Sequence, residues 1–301
     1  MIGRLKVCSA TVAALVMVAL TPLGASASFP GDNGRIIFNR GSAEGPTFLA
    51  SMEPKGTDVT RHTGRRSSFG ASWSPDGSRF IYSRFDRDGT VDLFLRDADG
   101  SNRTRVTDSV KDEFQVAFGP DGNQAVYQKC GFQCDLFIID LTTSIETRVT
   151  QTRADEIAPD WSVDDVIVYE RSGRRSDIEI FTIHPDGTTR TRLTDNRGRQ
   201  DVSASWSPDG TRIVYSRCGF ESNCDLFTMD PDGSGKDRIT DTKADEFGAH
   251  FSPNGRSFVL TRARRETRAD LFRMRTNGSR VRRLTDTPRR FEVDPDWQPV
   301  L

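Results

Sequence analysis

Five carboxylates recur at one place in a repeated pattern. Glu113, Glu156, Asp201, Glu246 and Glu292 each stand five residues before an aromatic residue, and Ser68 holds the sixth such position. Asp112, Asp155 and Asp245 directly precede three of them. Carboxylates gathered around one opening repel one another, and their field attracts a divalent cation or a basic peptide. Their hard oxygens would suit calcium or magnesium, although nothing in the pattern fixes a coordination geometry. The alternative is packing: each carboxylate accepts hydrogen bonds from a neighbouring loop or pairs with a recurring arginine, and is repeated because its unit is repeated. His250, next to Phe251, would share the same space. A solitary general base without a nucleophile or cofactor motif does not make a mechanism, so no catalytic residue is assigned.

Other candidates carry less. Asp86 to Asp92 contains half of a calcium loop but lacks its later Glu. His62 and His184 fall in strand and turn contexts. Arg61, Arg105, Arg148, Arg192, Arg238 and Arg283 each stand two residues before a Thr. On outermost strands they would block edge-to-edge pairing, with a ring for an anionic polymer as the alternative.

Cys130 and Cys134, and Cys218 and Cys224, form two close pairs. With Cys8 lost in the N-terminal leader, an even count in an exported chain favours disulfides, and the spacing and His partners of zinc sites are absent. Such short loops fix local shape more than global stability. Phe132 and Phe220 sit inside them as partner anchors or as loop packing. Export itself is read from residues 1–27: Arg4 and Lys6, an apolar run from Thr11 to Leu20, then Ala25-Ser26-Ala27, the pattern of a cleaved secretory leader. A secreted or periplasmic location follows.

The elements that position these residues are read from a period. Trp73-Ser74-Pro75-Asp76-Gly77 recurs in altered form at Phe118, Trp161, Trp206 and Phe251, at intervals of 43 to 45 residues. A β-rich run follows each, as in Phe80-Ile81-Tyr82, then a third strand such as Asp225-Leu226-Phe227, then an Asp-Gly or Asn-Gly turn and a fourth strand ending in Arg-x-Thr. Four short strands in such a period make a propeller blade rather than a two-helix solenoid unit. Asp296-Trp297 near the C-terminus supplies one strand, and the segment around Ile36-Ile37-Phe38 continues it, so the two chain ends complete a sixth blade. The expected fold is all-β: a six-bladed β-propeller of four-stranded blades over residues 28–301.

These motifs, Trp-Ser-Pro-Asp-Gly, Asp-Leu-Phe-x-Met and Arg-Leu-Thr, resemble the TolB-type β-propeller repeat, a WD-repeat-like family. The resemblance covers residues 29–299, without the N-terminal α/β domain that TolB proteins also carry. It implies fold more than activity, since one fold hosts many functions. No Gly-x-Ser-x-Gly nucleophile turn is present, which argues against a propeller-bearing peptidase.

Composition narrows the function. Forty-two cations against 43 acids give a net charge of −1, without the basic field of a nucleic-acid binder. No mature segment is apolar enough for a membrane span. The expected role is a non-catalytic scaffold, a monomer, binding a protein or peptide of the cell envelope or exterior at a channel mouth. No cofactor is required, with Ca2+ as the one considered. The alternative is an enzyme with an axial, metal-assisted site of lactonase or glycan-acting type. Carbohydrate recognition is less supported, because Trp73, Trp161, Trp206 and Trp297 are all used as blade anchors.

Overall fold

The computed structural model describes residues 28–42, 45–64, 66–173, 177–219, 223–265 and 268–301. The expected leader, and Phe220, lie outside the described residues. Alternating β-branched and aromatic runs punctuated by Asp-Gly turns produce six four-stranded antiparallel sheets. Their innermost strands are β4 (Ser68–Trp73), β8 (Asp112–Phe118), β12 (Glu156–Trp161), β16 (Arg199–Trp206), β20 (Asp245–Phe251) and β24 (Phe291–Val300). Each packs against the next in a closed ring. Among the described residues no helix is long and apolar enough to cross a membrane.

Blade one is shared by the chain ends. β24 pairs with β1 (Asp32–Ser42), matching Trp297 with Ile36 and Asp296 with Ile37. β1 then pairs with β2 (Gly45–Met52), and β2 with the two-residue β3 (Thr60–Arg61). Blades two to six follow in chain order. Trp73, Trp161 and Trp297 are buried between blades, with Tyr82, Tyr127, Tyr169 and Tyr215 of the second strands. Rings of this size supply most of the apolar area that holds neighbouring sheets together.

Every innermost strand carries a bulge. The residue there, Gly70, Gln115, Ala158, Ser203, Gly248 or Asp294, has a positive φ between 48° and 60°. The bulge turns its N–H toward the preceding blade: Ala158 donates to Gln128 at 3.0 Å and Ser203 to Glu170 at 2.6 Å. A local bend that costs backbone energy thus becomes an inter-blade tie.

Candidate functional site

All innermost strands begin on one face of the ring, here the leading face. It also carries the hairpins between second and third strands and the crossing loops between blades. The opposite, trailing face carries the Pro-Asp-Gly turns.

The five recurrent carboxylates start these strands, as read from sequence, but they are fully buried and each has a cation directly across the strand pair. Lys129 lies 3.0 Å from Glu113, Arg171 3.2 Å from Glu156, Arg217 2.7 Å from Asp201 and Arg40 2.8 Å from Glu292; Arg262 pairs with Glu246. Crossing loops add donors. Ser109 bonds Glu113 at 2.9 Å, while Thr152 and Asn196 cap Glu156 and Asp201. Burial still raises the Glu113, Glu156 and Glu292 carboxyls above the usual range, against the pull of these partners.

Asp112, Asp155 and Asp245 accept N–H bonds from Val91, Cys134 and Cys224 of the preceding blade at 2.9 to 3.1 Å. In the Asp112-Glu113 and Asp155-Glu156 pairs the motif is therefore a two-sided fastener: its Asp holds the neighbouring hairpin and its Glu the crossing loop. Among the described residues no group of three or more His, Cys, Asp or Glu is placed to hold a metal ion.

The outer arginines have closer partners than the edge argument supplied. Arg105, Arg148, Arg192, Arg238 and Arg283 pair at 2.7 to 3.0 Å with Asp92, Asp135, Glu179, Asp225 and Asp270 of the third strand. Blade one has Phe48 at that position, and Arg61 stacks over its ring at 4.0 Å. The Thr of the Arg-x-Thr motif accepts a third-strand N–H in all six blades, from Leu49, Leu93, Leu136, Ile180, Leu226 and Leu271. Outer strands of only two or three residues are held this way. In the Asp86–Asp92 segment, Asp86 and Asp92 engage Arg66 and Arg105, and Asp88 caps Thr90.

Deeper along the axis lies a buried polar tier. Asp160 accepts the N–H of Trp161 at 2.9 Å and of Trp206, in the next blade, at 2.6 Å. His250 is buried in the same tier, its Nδ1 3.3 Å from the Ser205 hydroxyl. Burial pushes the carboxyls of Asp160 and Asp294 up to about 7 and that of Glu170 well above its ordinary value. His62 contacts Ser51 and Phe80, and His184 is exposed.

Sequence reading missed the surface that the leading face does present. The residue after each carboxylate position is apolar: Phe69, Phe114, Ile157, Val202, Phe247 and Val293. Phe69, Phe114, Ile157 and Phe247 are half-buried, while Val202 and Val293 are buried. Phe69 and Phe114 stack across neighbouring blades with centroids 6.0 Å apart, so the position meets its counterpart at that blade boundary. The available signal was an apolar residue after all six positions, five of them acids, hidden because the acid was read as the chemically active half.

Exposed cations surround this collar. Each described crossing loop of blades two to six carries at least one: Lys111, Arg153, Arg197, Lys243 and Arg289. A recess of about 360 Å³ opens between Thr242, Lys243, Ala244 and Arg262. Both disulfides are formed, Cys130–Cys134 and Cys218–Cys224, across paired strand ends. The first holds Phe132 fully exposed on the leading face, while the adjoining Gly131 lies against the Lys111 side chain. Of the two sequence readings of Phe132, the structure gives the exposed tip.

Residues 49–301 match the TolB beta propeller domain family. A TolB homolog from Chlorobium luteolum is 28% identical over 152 residues, half of this chain and 32% of that protein. The matched stretches span less than half the length of the curated relatives. TolB from Acinetobacter baumannii superposes with a TM-score of 0.76 over 90% of this chain and 68% of its own, at 22% identity. An oligogalacturonate lyase in complex with manganese superposes at 0.62 over 87% of this chain and 77% of its own, at 19% identity. These two likenesses are of fold.

Proposed function

The chain belongs to the TolB β-propeller domain family, and from that premise we propose that it is an exported, non-catalytic scaffold that binds a protein or peptide at its leading face. The observation that carries this reading is the collar: Phe69, Phe114, Ile157 and Phe247 are half-buried and keep part of their apolar surface open at the start of the innermost strands. Apolar surface rimmed by charge suits a partner's side chains better than water. Phe132, on its braced tip, adds a separate exposed aromatic to the same face.

Glu113, Glu156, Asp201, Glu246, Glu292 and His250 enter this proposal as the frame rather than the contact. The carboxylates hold crossing loops and cations in place around the collar. No metal is needed for that role. The leader-like N-terminal pattern and the disulfides support a site of action in the cell envelope or outside the cell.

The test compares the native chain with F114E/F247E as immobilised bait for envelope proteins. Native bait should retain a discrete partner that the double variant loses, with both baits giving the same cooperative melt. Equal retention by the two would place the binding surface elsewhere.

A further inference from the structure

The carboxylate–cation pair that recurs in five blades is broken in blade two. Arg84 occupies the cation position there, and its partner across the strand pair is Ser68. The stacking survives: Arg84 lies over Phe94 at 5.2 Å, as Arg171 lies over Phe181, Arg217 over Phe227 and Arg262 over Phe272. Only the carboxylate is gone.

A second reversal lies beside the first. In blade three Lys129 is held between two acids, Glu113 at 3.0 Å and Glu146 at 2.8 Å. Register places Arg103 of blade two where blade three has Glu146. Arg103 lies 5.8 Å from the centroid of the same Phe94 ring that Arg84 covers. One cation between two acids has become two cations beside a serine. Arg84 is half-buried and Arg103 exposed, and among the described residues neither has an acid within ion-pair distance. The nearby Asp86 is engaged by Arg66 and Arg105. Burial and the Arg103 charge lower the Arg84 guanidinium pKa.

We propose that Arg84 and Arg103 form a carboxylate-binding site for an acidic peptide, taking the Asp or Glu side chain that the other blades supply from within. Guanidinium forks match carboxylates in charge and geometry. Ser68 directly precedes Phe69 of the collar, so a ligand with alternating acidic and aromatic residues would meet both features. The inference rests on the leading face being the ligand surface and adds the charge of the ligand.

The probe is a fluorescently labelled, end-blocked hexapeptide of alternating Glu and Phe, compared with its Gln-for-Glu twin by anisotropy at low salt. The acidic peptide should bind the native chain about tenfold more tightly than its twin, the size of one charge-assisted hydrogen bond. S68E restores the internal pair and R103E recreates the blade-three arrangement; each should abolish the preference, while S68Q keeps it. R103E changes an exposed position, so it reports even if S68E fails to fold. Equal affinity for the two peptides, or a preference unchanged in R103E and S68E, overturns the Arg84–Arg103 site and leaves the collar standing. Failure of both peptides to bind overturns the collar reading and this inference together.

Discussion

The backbone N–H of Trp73 donates to Asp296 Oδ2 at 2.8 Å, while Oδ1 of the same carboxylate accepts the N–H of Trp297 at 2.7 Å. One side chain from the last strand thus fastens the anchors of blades one and two. Asp160 joins Trp161 to Trp206 in the same manner. The ring is therefore closed by the bond type that links two of its continuous blades.

Removing that fastener leaves two buried N–H groups without acceptors, at about 1–3 kcal/mol each. D296A should lose about 2–4 kcal/mol in urea unfolding followed by tryptophan fluorescence. D160A should lose a similar amount. A D296A transition indistinguishable from native would mean that closure does not depend on this contact.

Closure also depends on a turn that tolerates no side chain. Gly77 has a φ of +66°, and a Cβ placed there would lie 1.9 Å from the carbonyl oxygen of Pro299, while Gln298 donates to the Gly77 carbonyl at 2.7 Å. G77A must therefore displace the last strand, with an expected loss of about 2–3 kcal/mol from overpacking and strain. G255A is the matched comparison, since Gly255 has φ +67° and open space around its Cβ. It should cost about 1 kcal/mol, the conformational share alone. Equal melts for the two variants would contradict the closure contact.

Stability should fall as pH rises from about 4 to about 7. The folded-state carboxyls of Asp160 and Asp294 titrate near 7 against 3.8 for the ordinary group, chiefly because of burial. Across that window the folded state holds more protons than the unfolded one, so raising pH favours unfolding. His62 opposes this, because burial lowers it from 6.5 to about 4, and its contribution is lost as pH falls through that interval. D294N isolates one carboxyl: its melting temperature relative to native should rise between pH 4 and pH 7.5. A difference independent of pH would remove Asp294 as a source of the slope.

The paired carboxylates should prove structural. E156Q leaves Arg171 facing an uncharged partner, and with that arginine partly solvated the expected loss is about 1–3 kcal/mol. Partner retention by the folded E156Q protein should match native. Loss of retention with an unchanged melt would return the carboxylate ring to the role of a contact surface.

The fold was legible because its signals are periodic. Aromatic anchors such as Trp73 and Trp206, the Pro-Asp-Gly turns and the half-blades at Ile36 and Trp297 each stated blade count and closure independently. The repeated acids were legible only as two alternatives, contact or packing, because linear order says nothing about what faces Glu113 across a sheet. Lys129 stands 16 residues further on, and register rather than sequence proximity brings the two together. The collar was obscured for a related reason. Ile157 reads as an ordinary strand residue until the bulge at Ala158 and the ring of neighbouring strands place it at the axis. The anomaly at Arg84 appears only after the pairing in the other five blades is known.

The central claim is that partners meet the leading face at its apolar collar. Photo-crosslinking tests it directly, with benzoylphenylalanine replacing Phe247 on the leading face or Asp232, an exposed turn residue on the trailing face. The expected result is a discrete adduct from position 247 in producing cells, absent when F114E is added, and none from position 232. An adduct from 232 alone, or one from 247 that persists in F114E, would contradict the account.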